Sequence, residues 1–217
     1  MEQPKRELFL PAEWHRQQMV QLTWPHAATD WNYMLDEVEA CFIEIAKAVS
    51  SRQRLLVVAP DTKAVSETLA NAGAKMTNIT FFQCDTNDTW ARDHAFITLL
   101  GDNVPHYVDF CFNGWGRKFE ASLDNAINGR LYDAGVVKGE YEDCTSLVLE
   151  GGSIESDGKG NILKGSNAVI DNDTSITANG VVTTLDINIQ NITEKAALNI
   201  ENGAIVVADA KNGKIRA

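Results

Sequence analysis

Two short stretches concentrate side chains able to hold a cation. In Asp88-Thr89-Trp90-Ala91-Arg92-Asp93, two carboxylates and an arginine flank a tryptophan between apolar runs, in the kind of loop where functional side chains gather. A carboxylate offers two acceptors that match the fork of a guanidinium, and an aromatic face attracts the same cation. A salt-bridged surface loop with Trp90 turned into the core also fits these residues. In Leu147-Val148-Leu149-Glu150-Gly151-Gly152, an apolar strand delivers a carboxylate at its end, and two glycines let backbone or ligand approach closely. A strand closing in an ordinary glycine turn has the same pattern. Asn113-Gly114-Trp115-Gly116 is the third stretch: a tight turn that exposes an indole, or a tryptophan used for packing.

Other reactive types are scattered. Cys41, Cys84, Cys111 and Cys144 form no CxxC pair, and the four His make no HExxH arrangement. The expectation is no metal and no disulfide framework. A net charge of -11 argues against a nucleic-acid partner, because phosphate binding needs clustered Lys and Arg. An acidic surface attracts small cations, or serves solubility alone. No apolar run approaches the length of a membrane span, and no signal-type apolar region follows the charged start Met1 to Glu7. These features predict a soluble, cytoplasmic protein with no membrane partner.

The elements that must position these residues alternate in type. An extended start ends in Leu10-Pro11-Ala12-Glu13-Trp14, and Met19 to Trp24 is a strand closed by Pro25. Leu35, Val38, Phe42, Ile45 and Val49 make one apolar stripe at helical spacing. Leu55 to Ala59 reads as a buried strand, Asp61 caps a helix to about Ala72, and Gly73 ends it. Strands follow at Ile79 to Phe82, Ala95 to Leu100 and His106 to Phe110, the last two joined by the hairpin loop Gly101-Asp102-Asn103. A partly helical stretch, Glu120 to Leu131, precedes a strand at Ser146 to Leu149, and Asp157-Gly158-Lys159-Gly160 is a further hairpin turn. The alternation predicts a mixed α/β fold. From Lys164 to Ala217 there is no Trp, Phe, Tyr, Cys, His, Met or Pro, which places a boundary between residues 1–163 and 164–217.

Taken in order, Leu10 to Trp14, Trp24-Pro25-His26 and the three stretches above resemble the agmatine deiminase family, relatives of the bacterial peptidylarginine deiminases, over about residues 8–163. The resemblance implies a pentein-like α/β propeller of repeated modules, present here as an incomplete N-terminal portion with a small α+β tail. It implies hydrolysis of agmatine to N-carbamoylputrescine and ammonia, a step towards putrescine, without metal or organic cofactor. It also implies roles: Asp93 as the chief guanidinium carboxylate, Glu150 as a second, Trp90 and Trp115 as pocket walls, and Asp88 as a substrate contact. His94 departs from the family pattern after the aspartate. In the family mechanism a thiolate attacks the guanidinium carbon while a His shuttles protons to the leaving ammonia. These 217 residues hold no His-x-Asp and no cysteine in a matching glycine-rich context. The expectation is therefore no catalytic nucleophile and no turnover by this chain alone. Two alternatives stand beside it: a non-catalytic binder of guanidine or polyamine cations, and a structural or interaction protein whose tail pairs through an exposed sheet edge; an incomplete propeller also implies self-association through its exposed edge.

The tail is similar to something else. Val182 to Gln190, Glu194-Lys195-Ala196 and Gly203 to Asp209 through Lys214-Ile215-Arg216-Ala217, about residues 180–217, resemble the segment leading into the transpeptidase domain of penicillin-binding proteins. The similarity stops before any Ser-x-x-Lys, so it implies no transpeptidase activity. An unrelated β-rich extension fits the tail as well. Two partial enzymes meeting near Leu163 read as a fused frame.

Overall fold

The computed structural model describes residues 8–101, 104–158 and 162–164. The chain divides into two units, residues 1–175 and 176–217, and every described residue belongs to the first. The loop tip Asp102-Asn103 and the tail beyond Lys164, with its similarity to penicillin-binding proteins, lie outside the described residues.

A parallel sheet comes first. Strands β1 (Met19–Thr23), β2 (Arg54–Ala59) and β3 (Ile79–Gln83) pair in the order β1-β2-β3. They are joined by helices α1 (Leu35–Ser50) and α2 (Thr62–Asn71). Leu55 to Ala59 are all buried, because the central strand of a parallel sheet is covered on both faces. Leu55, Val57 and Ala59 face Trp24, Ala46, Val65 and Leu69. Leu56 and Val58 face the other way, into a cluster with Cys84, Ile127 and Leu131. The expected cap is present: the Asp61 side chain accepts from Ala64 N–H at 3.0 Å, and Gly73 leaves α2 with φ +80°.

A mixed sheet follows. The one-turn helix α3 (Ala91–His94) leads into β4 (Ile97–Leu99), which pairs antiparallel with β5 (His106–Cys111). Helix α4 (Ser122–Asp133) then crosses over to β6 (Glu140–Val148), which runs parallel to β5. Ile127 and Leu131 of α4 supply the second cluster above, so this helix closes the back of the first sheet. Strand β6 begins six residues before the expected Ser146. The run Glu140-Tyr141-Glu142-Asp143-Cys144 is polar because β6 is an edge strand with most of its residues exposed, so apolar content underreads it. Strands β7 (Ile154–Ser156) and β8 (Ile162–Lys164) pair antiparallel, and Lys159 and Gly160 of the expected hairpin turn lie outside the described residues.

The extended start is strapped to this frame. Phe9 and Leu100 exchange backbone hydrogen bonds at 2.9 Å in both directions. Ser156 Oγ donates to the Leu10 carbonyl at 2.7 Å, and Arg92 pairs with both Glu13 and Glu155. No helix among the described residues is long and apolar enough to cross a membrane.

Candidate functional site

The loop from β3 to α3 is fastened before it presents anything. Asn87 N–H donates to Asp124 Oδ1 at 2.7 Å and Asp88 N–H to Asp124 Oδ2 at 3.2 Å, while Asn87 Oδ1 accepts from Leu123 N–H at 2.7 Å. Burial of Asp124 in this clasp pushes its carboxyl up to about 6. Asp88 is buried as well. Its carboxylate accepts from Thr89 N–H at 2.7 Å and from Asp30 N–H at 3.2 Å, tying the loop to the short 3-10 turn Asp30–Met34.

The next turn brings together the two stretches that the sequence singles out. Asp93 Oδ1 accepts from Gly152 N–H at 3.0 Å, across 59 residues of chain. A side chain at Gly152 would collide with that same oxygen, and one at Gly151 would collide with the Arg92 carbonyl. Both glycines are therefore needed for close approach. Glu150 sits two residues before Gly152. Burial raises its pKa, the nearby Asp93 charge raises it further, and the backbone N–H of Trp115 opposes both. Two carboxylates held together in partial burial repel one another, and a cation placed between them relieves that repulsion.

Aromatic rings cluster next to Glu150, reached through the Trp115 backbone. Trp90 packs against Trp31, with centroids 5.7 Å apart, and edge-on against Trp115 at 4.9 Å. Trp115 also meets Phe112 at 5.2 Å and Phe119 at 5.5 Å. Trp31 Nε1 donates to Thr89 Oγ1 at 2.9 Å, which fixes the outer indole. A cavity of about 140 Å³ opens among Asp30, Asp88, Trp90, Phe112, Trp115 and Phe119. A larger groove, about 1130 Å³, follows β1, β4 and the strapped start, and neither Asp93 nor Glu150 lines either cavity.

Trp115 is presented by strained backbone. Gly114, Trp115, Gly116 and Arg117 have φ of 62°, 54°, 81° and 65°, a complete left-handed turn. It closes through Arg117 N–H to the Asn113 carbonyl at 2.7 Å and Lys118 N–H to the Gly114 carbonyl at 3.0 Å, with Asn113 Oδ1 accepting from Gly116 N–H at 2.7 Å. Left-handed geometry at Trp115 and Arg117 costs about 1–2 kcal/mol each, and strain of this kind collects where a side chain must be aimed. Gly114 has no room for a Cβ, which would strike the Phe119 carbonyl. Gly114→Ala is accordingly expected to destabilise the chain by about 2–4 kcal/mol. A melting temperature within a degree of wild type would show that this turn opens freely.

The five residues expected at the site are linked by contact: Asp93 acts on Glu150, Glu150 meets the Trp115 backbone, Trp115 packs on Trp90, and Asp88 lines the small cavity with both indoles. Sequence reasoning missed Trp31, Phe112 and Phe119. Trp31 lies in a polar run just before α1, and nothing in its neighbours points to the site. Among the described residues no group of three or more His, Cys, Asp and Glu is placed to share a metal ion. Of the thiols, Cys111 ends the strand beside Leu149, whose N–H it accepts through its carbonyl at 3.1 Å. Burial and then the Asp109 charge raise the Cys111 pKa, which keeps it protonated and weakly nucleophilic.

Comparison with known proteins gives this chain relatives. A family model described as Porphyromonas-type peptidyl-arginine deiminase matches residues 9–189, across the compositional break near Leu163. A protein of Shewanella putrefaciens that carries the name agmatine deiminase is 31% identical over 175 residues, covering 75% of this chain and 44% of the relative. The chain thus spans less than half the length of that relative. Among solved structures, one titled as an arginine deiminase from Porphyromonas gingivalis is 46% identical, with a TM-score of 0.66 over 73% of this chain and 47% of that one. A substrate-bound Cys-to-Ser variant of C. jejuni agmatine deiminase is 30% identical, with a TM-score of 0.67 over 98% of this chain and 62% of that one.

Proposed function

This chain belongs to the Porphyromonas-type peptidyl-arginine deiminase family, and we propose that its residues 88–152 hold the guanidinium of an agmatine-like substrate. The observation that carries the reading is the Asp93–Glu150 pair, with Glu150 at the backbone N–H of Trp115, whose indole packs on Trp90. A guanidinium between the carboxylates gains charge-assisted hydrogen bonds on two sides, and the indoles shield those bonds from water. Held so, its central carbon is polarised for attack by a thiolate. The four described thiols are poorly suited to that step: Cys41 is exposed on α1 and lines neither cavity, Cys84 is buried, and burial raises the pKa of Cys111 and Cys144. The 217-residue chain therefore binds without turnover, and hydrolysis by the whole protein requires the family's thiolate and imidazole. The agmatine reading carries with it a role in putrescine formation and a cytoplasmic setting. Successive small sheets, β1-β2-β3, β4-β5-β6 and β7-β8, support a propeller built of modules. Exposed Leu147 and Val148 on the β6 edge suit self-association there.

Calorimetric titration with agmatine tests the proposal through its pH dependence. Glu150 must be ionised to hold the cation, and its pKa is raised in the empty site. The guanidinium stays charged throughout. Affinity should rise with pH, by about tenfold per unit while Glu150 remains protonated, and level off above its pKa. Ammonia should stay at background at every pH. A pH-independent Kd would remove Glu150 from the site, and ammonia release would overturn the non-catalytic part.

A further inference from the structure

Helix α3 has four residues, too few to hold itself, since helix nucleation is unfavourable and a single turn gains almost no internal hydrogen bonds. Its shape must come from what grips it. The C-terminal carbonyl of α3, that of His94, accepts from Asn128 Nδ2 at 2.8 Å. The same amide nitrogen donates to Asp109 Oδ1 at 2.7 Å, and Asp109 Oδ2 accepts from Tyr141 O–H at 2.9 Å. On the other side the His94 imidazole Nε2 lies 3.2 Å from Thr23 Oγ1. Asn128 and Thr23 are wholly buried, and His94 and Asp109 are each 2% exposed. A buried polar chain of this kind contributes little net stability compared with apolar packing of the same volume. What it does supply is direction. It joins β1, α3, α4, β5 and β6 at the residue that follows Asp93.

We propose that Asn128 is a positioning residue for guanidinium binding: by holding the His94 carbonyl it fixes the end of α3 and so aims the Asp93 carboxylate at its ligand. The proposal rests on the reading that Asp93 holds the guanidinium, and it adds a residue that touches no ligand. Asn128 faces Asp109 with one proton and the His94 carbonyl with the other, so both roles of its amide can be separated.

The separating variant is the exchange Asn128→Asp with Asp109→Asn. Asn at 109 can donate to Asp at 128 and still accept from Tyr141, which rebuilds the link between α4 and β5. An ionised Asp at 128 has no proton for the His94 carbonyl. The melting temperature of the exchange variant is expected to return to within a few degrees of wild type from the lower value of Asn128→Ala. Its Kd for agmatine is expected to stay about tenfold weaker than wild type, and the Gly152 amide, which reports Asp93 Oδ1, should shift in a 15N–1H spectrum without ligand. Recovery of wild-type affinity together with an unmoved Gly152 amide would overturn the proposal. If wild-type chain fails to bind agmatine, the guanidinium reading falls, and the Gly152 resonance alone then decides whether Asn128 aims Asp93.

Discussion

Asp93→Asn is expected to weaken agmatine binding about 100-fold, or roughly 3 kcal/mol, the scale for removing one partner of a close charge pair. The substitution keeps the shape of the side chain. Its amide oxygen can still accept from Gly152 N–H, so the turn at Gly151–Ser153 and the fold should survive. What disappears is one of the two charges that make the site selective for a cation. The same change removes the Asp93 contribution to the raised pKa of Glu150, so residual binding should level off at lower pH than in wild type. Calorimetry on both proteins at neutral pH checks the first effect, and the pH profile checks the second. A Kd within twofold of wild type would mean that the carboxylate pair does not hold the ligand.

The second large effect concerns acid stability. Burial lowers the pKa of His94 from 6.5 to about 4, so the folded state keeps the imidazole neutral while the unfolded chain takes up a proton. The unfolded state binds more protons between those limits, and stability is lost as pH falls from about 6.5 towards 4. A shift of this size corresponds to about 3 kcal/mol over that window. Asp124 works in the opposite sense, because a carboxyl raised to about 6 is relieved of its buried charge on acidification. Raw melting curves contain both terms. The comparison that isolates His94 is wild type against His94→Gln, followed by urea denaturation from pH 7 to pH 4. Wild type should lose about 3 kcal/mol relative to the variant, and parallel pH dependences would show that His94 does not titrate on unfolding.

Much of this was legible in the residues, for identifiable reasons. Helix α1 carries a long apolar stripe and β2 a continuous apolar run, and both are signals that depend only on burial. Asp61 and Gly73 mark the ends of α2 by local backbone chemistry. Asp93 and Glu150 stood out because charged residues next to glycine or tryptophan are rarely needed for packing. Strand β6 was read short because an exposed edge tolerates acidic residues that apolar patterning ignores. Asn128 carries no signal at all: one polar residue in a helix becomes meaningful only when tertiary contact brings His94 and Asp109 to it. The left-handed conformation of Trp115 is likewise invisible beforehand, since its flanking glycines announce a turn but not its hand.

The packing of Trp31, Trp90 and Trp115 has an optical consequence. Indoles this close, with centroids 5.7 Å and 4.9 Å apart in a fixed chiral arrangement, couple their electronic transitions. Near-ultraviolet circular dichroism of the chain should then be dominated by this cluster, since Trp14 is 80% exposed and the ring partner of Trp24 is Phe42, with no second indole. A colourless cation settling beside these rings would announce itself in that spectrum without any attached dye, and so would a turn at Gly114 that had let go.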